Sequence, residues 1–301
     1  MVCIWLESLE SPGIINMANP KRTVLITGCS DGGLGAALAV AFHKAGQKVY
    51  ATARNPAKMK ELEALGIETI TLDVLSEASI AACVTSLPAL DILVNNAGQQ
   101  FVKPLVHVDI AEAKRLYDIN VWSHLAVTQA FLPLLLKSAN AVVVNQTSVT
   151  AVTPIPFQGV YSSSKAALAM LTGVLRLELQ PFGIKVVDLR TGHVKTNLIR
   201  NVQETGNTQL PEGSIYEPAK QIVNEVMRQE GFIDGGMAAE QWAEQVVQDL
   251  LSNPPQVIWR GESAWLTRIA AMLPYGVFDG MLKKVGGLDK VERIIQKAKK
   301  E

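Results

Sequence analysis

Tyr161 and Lys165 stand four residues apart in the run Tyr161-Ser162-Ser163-Ser164-Lys165. In a helix that spacing puts both side chains on one face. A free tyrosine, with a pKa of about 10, is a poor base near neutrality. A neighbouring ammonium stabilises the phenolate and lowers that value. The pair then becomes a usable proton donor and acceptor. The same residues also suit a buried tyrosine beside a lysine that reaches past it to water. The pair alone does not decide between these readings.

A second constellation lies near the start of the chain. Thr27-Gly28-Cys29-Ser30-Asp31-Gly32-Gly33-Leu34-Gly35 joins an apolar run to a helical pattern. Glycines there let backbone approach a pyrophosphate, whose charge meets the free N–H groups of the helix N-terminus. Gly28, Ser30, Gly33, Leu34 and Gly35 are the candidate contacts. The next apolar run ends Thr52-Ala53-Arg54-Asn55. A site for NAD usually places an acid at that strand end to bind the ribose hydroxyls. Here no carboxylate is present, and Arg54 offers a forked, charge-assisted grip on a 2′-phosphate. The expected cofactor is therefore NADP(H). A cationic nicotinamide ring near Tyr161 would add to the acidifying effect of Lys165.

The elements that must carry these residues alternate in type. Apolar runs at Thr23–Thr27, Lys48–Ala53, 68–74, 91–95, 141–145 and 185–189 read as strands. Helical patterns fall at 34–45, 56–65, 79–86, 111–137 and 161–180. The long fourth pattern is expected to break near Asn120 and again near Pro133. Strands apolar throughout are those covered on both faces. Repeated βαβ units of this kind predict an α/β fold, a doubly wound parallel sheet of Rossmann type. A TIM barrel would need eight units, and the pattern changes after roughly six. Beyond Gly192, residues 193–238 show scattered apolar side chains (Leu198, Leu210, Ile215, Tyr216, Phe232, Ile233) and no clear strand. A helix at 240–251 and a short strand at 257–259 follow. The expected organisation is a loose extension over 1–20, a catalytic domain over 21–262 with a substrate lid at about 193–238, and a C-terminal helical extension over 263–301. The final KVERIIQKAKKE reads as a solvated helix.

Composition narrows the function classes. The 301 residues hold 28 basic and 28 acidic side chains, so no nucleic-acid partner is expected. Mean hydropathy is +0.18, yet no uncharged apolar run reaches the length of a membrane span. Cys3, Cys29 and Cys83 are odd in number and widely spaced, which fits a reducing, intracellular and cytoplasmic setting. His43, His107, His124 and His193 have no metal-ligand spacing, and no metal is expected. The N-terminus lacks the basic start of a signal peptide, and Met17 is an alternative start.

Taken together, the glycine turn, Asn95-Asn96-Ala97-Gly98, Asn120, Ser148 and Tyr161/Lys165 resemble the short-chain dehydrogenase/reductase family over residues 23–196. The resemblance implies a role for each. Tyr161 exchanges a proton with substrate oxygen, and Lys165 binds the nicotinamide ribose. Ser148 hydrogen-bonds the carbonyl oxygen. Asn120 holds a water that links Lys165 to solvent. Asp73 contacts adenine, the Asn95 segment lines the cofactor channel with Asn95 stabilising the central strand, and Val194 and Thr196 contact the carboxamide and phosphate side. Hydride passes between the nicotinamide and the carbonyl carbon.

Two departures from the family pattern stand out. Either Gly28, Gly33 and Gly35 form the glycine signature with one extra residue, or Gly32 is its second glycine and Leu34 takes the third position. The first register is preferred. The family's Pro-Gly after strand six is Thr191-Gly192 here, which removes a rigid φ.

The apolar lid suits a hydrophobic or lipid-like ketone better than a sugar, although packing beneath a long loop would give the same pattern. The stretch 264–285 combines bulky apolar residues with Arg268, Lys283 and Lys284. It is read as core or dimer packing, within an expected homo-oligomer, or as a helix at a membrane surface, with a peripheral place at the endoplasmic reticulum or a lipid droplet. The tail and the TGCSxGG and ATAR motifs are similar to the group of fungal 1-acyldihydroxyacetone-phosphate reductases and 17β-hydroxysteroid dehydrogenase-like enzymes. Tailoring reductases of fungal secondary metabolism share these features. A rival class, a cofactor-binding regulator without turnover, would be expected to lack one of the four polar residues. A nucleotide-sugar epimerase would need a larger substrate domain.

Overall fold

The computed structural model describes residues 21–204, 208–233, 235–274 and 276–300. The expected extension over 1–20, with Cys3 and Met17, lies outside the described residues, as does Tyr275. Seven parallel strands form one sheet: β1 (Thr23–Thr27), β2 (Lys48–Ala53), β3 (Glu68–Thr71), β4 (Ile92–Asn95), β5 (Val142–Gln146), β6 (Lys185–Thr191) and β9 (Val257–Arg260). Their spatial order is β3-β2-β1-β4-β5-β6-β9, the doubly wound order expected. The order reverses between β1 and β4, where Val24 pairs with Val49 on one side and Ile92 on the other. β7 (Val194–Lys195) and β8 (Met237–Ala238) form a separate two-residue ladder.

Each strand alternates its side chains between two cores. Val24 and Ile26 face Leu38 and Phe42 of α1 (Leu34–Lys44) and Trp242 and Val246 of α9 (Ala239–Leu251). Leu25, Leu93 and Val143 face Val127, Phe131 and Leu135 of α5 (Ser123–Leu135). Between these lie α2 (Lys60–Ala64), α3 (Glu77–Ser86), α4 (Ile110–Tyr117), α6 (Gly159–Leu179), α7 (Leu198–Glu204) and α8 (Lys220–Met227). The chain closes with α10 (Ala264–Ala270), α11 (Asp279–Val285) and α12 (Leu288–Ala298).

Several boundaries differ from the sequence reading for local reasons. β3 stops at Thr71 because Asp73 turns the chain: its Oδ1 accepts the Leu75 N–H at 3.0 Å. α3 begins earlier, at Glu77, where the Ser76 hydroxyl accepts the Ser79 N–H. The break near Asn120 is a π-helical turn over Asp118–Trp122. Pro133 does not break α5, which continues to Leu135. Residues 193–238, expected as a lid, contain α7, α8 and the β7–β8 ladder. The terminal helix is not simply solvated: Val291 of α12 is buried against Val223 and Met227 of α8. Among the described residues, no helix is long and apolar enough to cross a membrane.

Candidate active site

Because the sheet is parallel, the turns after β1, β2, β4, β5 and β6 all emerge at its carboxyl edge. The glycine turn closes there by near-contact. A Cβ on Gly28 would lie 2.8 Å from the Ala97 Cα, and one on Gly35 would lie 2.5 Å from the Gly28 carbonyl oxygen. Gly35 is therefore the glycine of close helix–strand packing, which supports the first register. Gly32 is required as well. Its φ is +72°, and a Cβ would meet the Asn197 amide at 2.2 Å. The Gly33 N–H donates to the Ser30 carbonyl at 3.0 Å, and Leu34 opens α1. Gly33 caps α1 without a side-chain hydrogen bond, and no acid lies in the first turn. These backbone N–H groups fit a dinucleotide's phosphates by position and by charge.

The turn is clamped to its neighbours by residues the spacing argument missed. Thr27 Oγ1 accepts the N–H groups of Asn96 and Ala97 at 3.0 and 2.9 Å. Asn96 Nδ2 donates back to the Thr27 and Gly28 carbonyls. Cys29 N–H donates to the Thr52 carbonyl at 2.8 Å, which sets the turn beside the end of β2. Arg54 lies exposed just past that end. Asp73 sits at the same edge after β3.

Asn95 stands at the end of the central strand β4. Its side chain is 1% exposed and donates to Thr128 Oγ1 and Asn145 Oδ1, both at 2.9 Å. It ties β4 to β5 and α5, the strand-stabilising role the resemblance implies. Asn96 is the member of the segment that touches the glycine turn. Val194 likewise packs its side chain into the core and pairs its backbone with Met237. Thr196 Oγ1 accepts the Leu198 N–H at the start of α7.

Ser148, Tyr161, Lys165 and Asn120 come together. Ser148 follows β5 and its Oγ accepts the Thr150 N–H at 3.1 Å. Tyr161 and Lys165 lie on the buried face of α6. Burial pushes the Tyr161 phenol up from its ordinary value, and a hydrogen bond with Ser148 draws it down. The expected acidified phenol is thus not produced by the protein groups alone. Lys165 donates to the Gln146 carbonyl at 2.8 Å, and its nitrogen lies 6.0 Å from the centre of the Tyr161 ring. Burial pulls the Lys165 amine down to about 8, opposed by Asp188. Asp188 accepts from the Thr147 hydroxyl and from Arg190 Nε.

Asn120 is fully buried in the π-helical turn. Its Oδ1 accepts the Gln99 N–H, and its Nδ2 donates to the Gln99 carbonyl, both at 2.8 Å. The same Nδ2 lies 3.1 Å from Ser164 Oγ. Its amide therefore fixes the loop after β4. Gly98 completes the link: a Cβ there would lie 3.2 Å from Asn120 Oδ1 and 3.5 Å from Lys165 Nζ.

The missing proline after β6 has a substitute. Gln146 Nε2 donates to Thr191 Oγ1 at 2.6 Å, which holds Thr191 to β5. Gly192 then passes where a Cβ would come within 2.2 Å of the Glu262 carbonyl oxygen. In the lid, Leu210 packs with Val202, Val223 and Val291, so part of its apolar character is internal packing. A cavity of about 250 Å³ opens beside the Gln99 loop, lined by Phe101, Val102, Leu116 and Val202 among others.

A doubly wound sheet carrying an open glycine turn and a serine–tyrosine–lysine cluster at one edge defines a dinucleotide-dependent oxidoreductase acting on alcohol and carbonyl groups. Residues 22–207 match the family model described as short chain dehydrogenase. The chain is 50% identical, over 94% of its length and all of the relative's, to a short-chain dehydrogenase/reductase of Pestalotiopsis microspora. It is 32% identical to an NADPH-dependent 1-acyldihydroxyacetone phosphate reductase of Schizosaccharomyces pombe, over 86% of this chain and 92% of the other. Among solved structures, a short-chain dehydrogenase of Streptomyces avermitilis superposes with a TM-score of 0.71 at 27% identity, covering 92% and 99% of the two chains. The chain belongs to the short-chain dehydrogenase family.

Proposed function

We propose that this protein is an NADPH-dependent ketoreductase, working as an alcohol dehydrogenase in reverse, that acts on a hydrophobic or lipid-like ketone. The observation that carries the reading is the meeting of Ser148, Tyr161 and Lys165 at the carboxyl edge, beside the glycine turn. Gly28, Ser30, Gly33, Leu34 and Gly35 would hold the cofactor's phosphates, and Arg54 its 2′-phosphate. Asp73 would lie by the adenine, and Val194 and Thr196 by the carboxamide and phosphate side through backbone and hydroxyl. Bound there, the nicotinamide supplies the hydride.

Ser148 would offer its one hydroxyl proton to the carbonyl oxygen while its oxygen accepts the Thr150 N–H. Tyr161 delivers the proton to that oxygen as charge develops. Lys165 supplies positive charge next to the ribose and the phenol. Asn120 keeps the Gln99 loop in place and lines the route by which Lys165 exchanges protons with solvent.

The lipid-reductase reading follows the S. pombe relative, whose name gives an acyl-dihydroxyacetone phosphate as substrate. A second reading is a tailoring reductase of fungal secondary metabolism; the 50% identical P. microspora relative is named only as a short-chain dehydrogenase/reductase and does not single out a lipid substrate. A non-catalytic NADP-binding regulator fits less well, because the full polar set is assembled. We place the enzyme in a reducing, intracellular setting, where the buried Cys29 and Cys83 stay as thiols. The exposed stripe Met170, Val174 and Leu177 on α6 supports a homo-oligomer. The functional test is NADPH oxidation measured across acyl-dihydroxyacetone phosphates, steroid ketones and polyketide-like ketones. Turnover of one of these classes is expected; turnover confined to small sugars would contradict the reading.

A further inference from the structure

Most of the apolar stretch after β9 is not core, although Ala264 and Leu282 are buried. Trp265 is 67% exposed, Met272 73% and Val277 58%, and Ile269, Leu273, Met281 and Val285 are each more than two-fifths exposed. These seven are a third of the 21 large apolar side chains exposed among the described residues. They fall within one short segment, from the start of α10 to the end of α11. Trp265, Ile269 and Met272 follow helical spacing, so they share one face of α10 and its continuation.

Charge is distributed unevenly along the chain. Residues 263–301 carry eight Lys or Arg against four Asp or Glu, a net +4, while the rest of the neutral chain carries −4. Arg268, Lys283 and Lys284 lie exposed in α10 and α11 themselves. Lys283 leans toward Glu292 at 3.9 Å, a loose surface pair. Two copies meeting symmetrically through this face would bring like charges together. An anionic bilayer would instead take the apolar side chains into its interface and the cations against its headgroups.

The segment is anchored at the rim of the active site at both ends. Before α10, the Glu262 carbonyl and Ala264 N–H lie against Gly192, just past β6. After α11, Gly286 packs so closely on Pro156, between Ser148 and Tyr161, that a Cβ would lie 2.6 Å from the proline Cβ.

We propose that α10 and α11 form an interfacial docking surface that seats the mouth of the active site on an anionic lipid bilayer. Apolar side chains enter the interface while Arg268, Lys283 and Lys284 hold the headgroups. A lipid-like ketone would then reach the site from the membrane. The docking itself does not depend on the substrate reading, because it is measured without turnover.

The test is co-sedimentation of the full chain with phosphatidylcholine vesicles, with and without phosphatidylserine. Binding is expected with phosphatidylserine, weakened by salt, together with a blue shift in Trp265 emission that Trp265→Phe removes. Lys283→Ala and Lys284→Ala should each weaken binding roughly fivefold. Met272→Asp with Val277→Asp should abolish it, and because both side chains are exposed the doubly substituted protein should keep its melting temperature. Three results would overturn the proposal: no binding to either vesicle, binding that survives the double substitution, or self-association in solution that the double substitution abolishes.

Discussion

Lys165 gives its ammonium to the carbonyl of Gln146, 2.8 Å away at the end of β5. That bond holds a buried cation at the carboxyl edge, near the phenol but not on it. Burial lowers the amine to about 8 from 10.5. Between those values the unfolded chain binds more protons than the folded one, so stability rises with pH across the window. The cost of the buried charge is fully present below it. The shift caps that cost at about 3 kcal/mol.

Lys165→Met should therefore lose turnover by roughly a hundredfold or more. Its melting temperature relative to wild type should fall as pH rises from 7 to 10, because only the wild type is relieved of a charge. Thermal melts at both pH values check this. A difference that stays constant would mean that Lys165 is not titrating in that range.

Ser148 binds the phenol and draws its proton affinity down. Ser148→Ala should lower kcat by about 10²–10³. The pKa assigned to the phenol in the pH–rate profile should move upward. The lost cap on the Thr150 N–H should cost about 1 kcal/mol. Steady-state kinetics and a denaturant melt separate the two effects.

Asn120 clasps both the N–H and the C=O of Gln99. Asn120→Ala should cost roughly 2–3 kcal/mol, since it strands buried polar groups. Amide exchange at Gln99 should quicken. Asn120→Asp keeps the acceptor and should restore protection of the Gln99 N–H only. Hydrogen exchange followed by mass spectrometry reads both.

Arg54 follows β2 where no carboxylate stands. Arg54→Ala should raise the KM for NADPH roughly 10- to 100-fold, the loss of a charge-assisted bond, and leave that for NADH nearly unchanged. An unaltered preference would remove Arg54 from cofactor choice.

The sequence exposed what is periodic and local. Thr23–Thr27 and Lys48–Ala53 read as strands with the bounds they have, because β-branched runs covered on both faces leave no other pattern. The four-residue step from Tyr161 to Lys165 likewise foretold a shared helix face. Partners distant in the chain left no such mark. Thr27 meets Asn96, Gln146 meets Thr191, and Gly32 meets Asn197 only after the sheet has formed. The opposing pull on the Tyr161 phenol was hidden for the same reason: burial is a tertiary property, and among the protein groups alone it outweighs the Ser148 hydrogen bond. The apolar stretch 264–285 showed its composition in the sequence but not its exposure.

The most direct measurement is single-turnover reduction by Tyr161→Phe with NADPH, alongside cofactor binding followed by fluorescence. The substitution removes one hydroxyl from a buried ring and leaves the glycine turn untouched. We predict unchanged cofactor binding and a rate lower by about 10²–10⁴. A rate within a few-fold of wild type would show that the proton comes from elsewhere and would contradict the assigned chemistry.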